Sequence, residues 1–484
     1  MSNLTSQPIE LQPQPISASS SPSPSPSPSP PHDIESQPLP NQLENQLNYN
    51  PAETPSLDQA PEPEQIPPFP KHHAIEIIIA GFIANYMVFG IAFTFGIFQE
   101  FYTSKTGPLF SKSQAKVAMI GTVASATTYI GSIFNNFLLK NLKTPRNVML
   151  IGSLCMSLGL VLGSLCHNGE IYQFVLSQGL LFGIGASMIY TPPVVCAPPY
   201  FTRHRGIAIG ILFSGTGIGA LMLAPFTSFL IRKIGWRWAL RCLGFINLGV
   251  TTAASFMAHQ HPAFKDNYKP LKSMFNYKVV DMKSLLSQLA AGFFQSAGYL
   301  ICLNYMATYG ATLGFSAKQG ANFIALNNGI NAAFKILMGH AADKTGRLNM
   351  IIICSFSSAL SVFTLWLIGT RSTFISFVVI YGVFSGAIVS LLPTCLSEIF
   401  GVKNYQSISG MMYFCRGIGN FLGNPIAGLL ITGSSNVGNA GASQMTKDYQ
   451  HTIIYNGVLL SASTILLCYL KLRVARGLTE KHNV

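Results

Sequence analysis

Twelve apolar stretches, each roughly 20 residues long and therefore able to cross a bilayer as a helix, recur along this chain. They lie near 75–99, 117–139, 147–167, 172–192, 206–231, 238–258, 285–310, 319–342, 349–369, 373–396, 406–431 and 452–472. In hydrocarbon no water satisfies a backbone N–H or C=O, so each stretch must close its own hydrogen bonds as a helix. Only 10% of the 484 residues are charged, against roughly 25% in soluble domains. The expected fold class is an all-α polytopic membrane protein.

The formal net charge of +13 invites a nucleic-acid reading, but its placement argues against one. With the N-terminus inside, most of the 30 Lys and Arg fall on the cytoplasmic side, in the even-numbered connections and the C-terminal tail. That is the positive-inside pattern, and it predicts a multi-pass protein with both termini cytoplasmic; the plasma membrane and the vacuolar membrane both stand as expected locations. The basic charge reports topology, so the expected partners are the lipid bilayer and a small molecule, with no nucleic acid. The 9 Cys sit in or beside the apolar stretches without a CxxC spacing, which indicates buried thiols and neither a zinc site nor a disulfide framework. No cofactor is implied. No apolar leader precedes the first stretch, so that stretch is expected to act as the targeting signal.

Residues 1–70 are rich in Ser, Pro, Gln and Glu and include SPSPSPSPSPP at Ser21–Pro31. Such a composition cannot bury a core, so a disordered cytoplasmic tail is expected. A Lys-rich loop over 259–284 divides the rest into six-helix halves, 71–258 and 285–472, with a second cytoplasmic tail at 473–484.

The helices carry few ionisable groups, and those few are informative. Lys335 lies within an apolar stretch and shares a helix face with Asn331 and Asn327 at four-residue spacing. Arg416 shares a face with Asn420 and Asn424. Neither has an acid within a helix to pair with, and an unpaired cation at that depth needs a cavity, carbonyls or an anionic ligand. Both are candidate substrate-binding residues, with carbonyl bracing or snorkelling as the structural alternative. Tyr190, Tyr299, Asn304, Gln295 and Asn85 are further lining candidates. No carboxylate lies at a predicted helix centre, so nucleophile, base and metal ligands do not converge, and an enzyme is not expected. The stretch GTVASATTYIGS at Gly121–Ser132 suits close helix packing or the lining of an aqueous path.

Two longer motifs carry a family resemblance. Tyr200–Gly219 reads YFTRHRGIAIGILFSGTGIG, with Gly206, Gly210, Gly215 and Gly219 spaced for close helix approach. It resembles the signature of the monocarboxylate porter family of the major facilitator superfamily, and Gly235–Trp238 and Pro425–Gly428 are similar to fungal members. Gly339-x-x-x-Asp343-x-x-Gly346-Arg347 resembles the superfamily's cytoplasmic gate motif. The resemblance implies twelve transmembrane helices in two six-helix halves, the major facilitator fold, with substrate between them. It also implies gating by Asp343, Arg347, Gly339 and Gly346 with the basic cluster Arg203 and Arg205. Transporting members carry a basic residue at the position of Lys335, usually Arg, where it meets a substrate carboxylate. Animal members add an Asp at the position of Asn331 and a Lys in the first helix, both missing here. Lys also lacks the bidentate fork of Arg, and without an intramembrane acid a proton-coupled symport has no obvious proton carrier. The first-half link Lys140–Arg146 likewise keeps basic residues but has no acid.

The resulting expectation is a secondary transporter of a monocarboxylate-like anion working by alternating access, with protons as the candidate coupling ion. Two alternatives stand beside it: the same fold carrying a neutral or heteroaromatic solute such as a vitamin, and a non-transporting sensor or scaffold that signals through its tail. Deleting residues 1–70 separates transporter from sensor: flux into vesicles is expected to persist, whereas a tail-based sensor loses its output.

Overall fold

The computed structural model describes residues 70–110, 112, 114–142, 144–259, 281–431 and 448–482. The expected disorder of 1–70, all but its last residue, and most of loop 259–284 lie outside these. Twelve helical elements account for the described chain. They are α1 (Lys71–Thr103), α2 (Gln114–Ile130), α3 (Ser132–Leu142), α4 (Pro145–Gly163), α5 (Ile171–Tyr200), α6 (Arg205–Phe256), α7 (Met282–Thr312), α8 (Ala317–Thr345), α9 (Arg347–Trp366), α10 (Arg371–Ile399), α11 (Val402–Leu429) and α12 (Gln450–His482). No strand occurs among the described residues.

Helical elements and membrane crossings do not correspond one to one. Among the described residues, eight helices are long and apolar enough to cross on length and composition alone. The pair α2 and α3, bent by 41° at Gly131, makes a ninth. The 52-residue α6 is two crossings, because Gly235 at φ 80° and ψ 162° breaks it between the expected segments. A positive φ with an extended ψ is glycine territory, so this residue permits the reversal. The remaining two are α8 and α11, which are long enough but carry the Asn, Lys and Arg faces that lower their hydropathy. The helices overrun their apolar cores by a few residues at each end. Thus α7 starts at Met282, inside the expected loop, and α12 continues to His482, through most of the expected tail.

Caps fix several starts. Ser316 and Thr370 form reciprocal capping boxes ahead of α8 and α10. Asp281 caps α7, accepts from Ser284 Oγ at 2.6 Å and pairs with Arg473 of α12 at 3.1 Å. The Ser284 bond, assisted by Arg473, holds its carboxyl below the usual carboxylate range.

Glycine decides which helices touch. A Cβ at Gly215 or Gly219 would collide with the backbone oxygens of Phe82 and Tyr86, so this face of α6 lies directly on α1. A Cβ at Gly206, Gly210 or Gly217 would collide with the backbone of α8, so the other face of α6 lies on the second half. The four glycines of the signature therefore serve two different interfaces. The pattern repeats in α11, where Gly419 and Gly423 meet α7 at Phe293 and Ala297, and Gly417 meets α2 at Ala126 and Ile130. Exchanging the halves maps α1, α2 and α6 onto α7, α8 and α11, the relation expected of two repeated six-helix units.

We expect Gly215→Val to lower the thermal stability of detergent-purified protein by about 1–3 kcal/mol, the usual cost of overpacking. Gly96→Ala, where a Cβ meets nothing within 4 Å, is the control and should leave the melting temperature unchanged or slightly raised.

Candidate functional site

Several of the polar residues singled out above come together where the halves meet. Arg416 of α11 is 1% exposed; its Nη1 donates to Gln295 Oε1 of α7, and its guanidinium lies over the ring of Tyr129 of α2, 5.8 Å from the centroid. Around it stand aromatic rings from both halves. Tyr129 stacks on Tyr413 at 6.1 Å, and Tyr190 of α5 meets Tyr413, Tyr129 and Phe89 edge-on at 5.5, 5.8 and 5.2 Å. Asn331 donates to Tyr299 Oη at 3.5 Å, and Asn420 accepts from Ser296 at 2.8 Å. Arg416 Nε and Gln295 Nε2 are buried without a hydrogen-bond partner. Such a deficit normally costs about 1–3 kcal/mol per group, more when charged, so these atoms are prepared to receive an acceptor.

Lys335 is 2% exposed and reaches across the seam between the halves. Its ammonium donates to Phe213 O at 3.3 Å and to Thr216 Oγ1, both on α6. Carbonyl bracing, the structural alternative, is thus what Lys335 does in this conformation. Asn327 is similarly occupied, donating to Val378 O at 2.9 Å, although its Oδ1 is unpartnered. Asn331 packs against Gly386 of α10. Asn304 is exposed and does not join the cluster. Asn85 is buried and turned onto Gly81 O of its own helix.

No carboxylate shares this interior. Among the described residues, Asp and Glu all stand at helix ends or in connections, so Arg416 and Lys335 are each left without an acidic partner. Water around a charge is replaced here by a few oriented dipoles, an arrangement that favours an anionic guest.

A second assembly closes the end at which α1 begins. The start of α6 has no side-chain cap of its own, His204 making none. Asp343 of α8 supplies it from the other half, with Oδ1 accepting from Gly206 N at 2.8 Å and Oδ2 from Ile207 N at 3.0 Å. A carboxylate at a helix N-terminus gains both from the orphan N–H groups and from the helix dipole. Arg347 bonds the same Oδ1 at 3.2 Å, reaches Thr202 O at 3.2 Å and pairs with Glu398 of α10 at 3.4 Å. Arg205 donates to Pro198 O, Phe201 O and Ser397 Oγ, tying α5 and α6 to α10. Gly206 and Gly339 lie back to back, and Gly346 at φ 94° turns the chain from α8 into α9. Arg203 is exposed and makes none of these bonds. At the counterpart seam the described contacts are neutral: Asn136 of α3 donates to Gln406 O of α11 at 2.9 Å, and Ser132 donates to Gly410 O at 3.3 Å.

Residues 77–477 match the family model described as Major Facilitator Superfamily. The chain belongs to that superfamily. It is 30% identical over 362 residues to an MFS-type transporter of Aspergillus niger, covering 74% of this chain and 81% of the relative. It is 25% identical over 435 residues to the agnestins efflux protein of Paecilomyces divaricatus, covering 89% and 93%. Among solved structures, XylE (14% identity, TM-score 0.65, 82% of this chain and 94% of that one) and FucP in the outward conformation (12%, 0.62, 82% and 99%) have the same fold. As a major facilitator protein, the chain is an integral, multi-pass membrane protein of a transporter family.

The residues most central to the site include several that motif reading passes over: Tyr129, Tyr413, Phe89 and Thr216. Tyr129 stands in the small-residue stretch of α2, and Tyr413 stands one turn before Arg416 on its face. Aromatic residues are so common in apolar helices that position alone does not mark them.

Asp343→Asn removes the charge of the cap and should destabilise the closed end by about 1–2 kcal/mol. The buried Cys196 and Cys395, on the neighbouring α5 and α10, should then react severalfold faster with maleimide, read by mass spectrometry.

Proposed function

We propose that this major facilitator protein is a secondary transporter moving an organic anion with an aromatic or heteroaromatic body by alternating access. The observation that carries the reading is the pair of buried cations, Arg416 and Lys335, without a carboxylate in the helix interiors of the described chain and walled by Tyr129, Tyr190, Tyr299 and Tyr413. The carboxylate of the guest docks on Arg416, taking the free Nε, while its ring stacks among the tyrosines. Lys335 is the second cation. It rests on Phe213 and Thr216 while the Asp343 end is closed and is freed toward the guest as the halves rock. Charge-assisted hydrogen bonds of this kind contribute about 1.5–3 kcal/mol each.

The monocarboxylate porter assignment belongs to this proposal and rests on the Tyr200–Gly219 motif. So do cytoplasmic termini, residence in the plasma or vacuolar membrane, and the half limits 71–258 and 285–472. Proton symport is the least supported part, because the interior described here offers no carboxylate to carry the proton. The naming of relatives as efflux proteins for agnestins and aspyridones supports outward movement of an organic compound.

The test is flux in proteoliposomes, comparing aromatic monocarboxylic acids with their neutral amides. Wild type should prefer the acid by at least about tenfold, the equivalent of 1.4 kcal/mol. Arg416→Ala should abolish the preference, and Lys335→Ala should slow turnover. Equal flux of acid and amide would sink the anion reading in favour of a neutral heteroaromatic cargo. Absence of flux for a ligand that demonstrably binds would favour a sensor or scaffold.

A further inference from the structure

Away from the seam, the first turns of α1 and the end of α6 bring together side chains with no part in transport as proposed above. His73 and Glu76 are three residues apart on one face of α1, and His259 follows α6. Their ligand atoms all lie within 4.8 Å of one another. His259 Nε2 stands 3.1 Å from Glu76 Oε2, the His73 and His259 rings are 4.3 Å apart, and the His72 ring is 4.4 Å from that of His73. All three ligand residues are partly exposed, so an ion can enter from solution.

We propose that His73, Glu76 and His259 form a binding site for a zinc-class divalent cation. Two imidazoles and one carboxylate are a borderline-soft donor set suited to Zn²⁺, and three protein ligands leave the fourth position to water. Ligand atoms around a tetrahedral Zn²⁺ are about 3.3 Å apart, given bonds of about 2.0–2.1 Å. The His259–Glu76 pair already meets that spacing, and the ligand atom of His73 lies within 4.8 Å of both. The ion takes the place of the proton between His259 and Glu76, so no new polar group is buried. A plain His–Glu ion pair accounts for two of the residues but leaves the tilted ring of His73 against His259 without a role. The helix N-terminus disfavours a cation, and the Glu76 charge offsets it. Because α1 opens the first half and α6 closes it, a bound ion ties together the two ends of that half.

The test uses full-length protein in detergent, without a histidine tag and stripped with chelator. Micromolar Zn²⁺ should raise the melting temperature by several degrees, as expected for a ligand that binds only the folded state. Substituted Co²⁺ should show the visible absorption of a four-coordinate site. Glu76→Gln and His259→Gln should weaken the response at least about tenfold with an unchanged size-exclusion profile, and His451→Ala, outside the cluster, should keep it. No Zn²⁺-dependent shift in wild type, or an equal shift in both Gln variants, would overturn the proposal.

Discussion

A carboxylate from one half capping a helix of the other is the interaction on which this closed arrangement depends. The first turn of α6 presents N–H groups that its own sequence leaves without a side-chain acceptor. Asp343 receives two of them, and it does so only because Gly206 and Gly339 let the backbones meet without side chains between them. The same carboxylate holds Arg347, which in turn reaches Thr202 and Glu398. One acid therefore joins α6, α8 and α10. The bonds are short-range and directional, so any rotation of the halves that broke one would break them together.

The seam is not symmetric. Exchange of the halves maps α8 against α6 onto α3 against α11, yet the second contact uses amide and hydroxyl donors to carbonyls and has no acid. Charge-assisted bonds are roughly twice as strong as neutral ones. Opening should thus be resisted chiefly along the α6–α8 edge, with the other edge serving as the softer side of the hinge.

The interior shows a compromise between insertion and function. Asn327, Asn331 and Lys335 make α8 the polar helix of the second half, and Arg416 and its neighbours do the same for α11. Neither passes as a membrane crossing on apolarity alone. Both are wrapped by more apolar helices, so their polar faces are paid for by packing elsewhere. The chemistry of the site and the weakness of the hydropathy signal have one cause.

Much of this was legible from residue order. The number of crossings, the glycine-lined helix, the two unpaired cations and the Asp343–Arg347 turn all follow from local pattern, because backbone satisfaction in hydrocarbon and the burial of charge are decided residue by residue. Which partners those residues take was not legible. Lys335 and Arg416 look alike in sequence, one cation among asparagines on a helix face. Packing gives Lys335 the Phe213 carbonyl and Thr216 hydroxyl of the opposite half, and gives Arg416 a glutamine, a tyrosine ring and a nitrogen left free. Tyr129 and Tyr413 become site residues only when α2 and α11 are brought side by side. The sequence alone determined that this chain is a membrane helix bundle with a charged turn at one end and a cationic interior. Only the tertiary structure decided which cation keeps an unpartnered nitrogen, because that depends on distances between helices far apart in the chain, which no local pattern encodes.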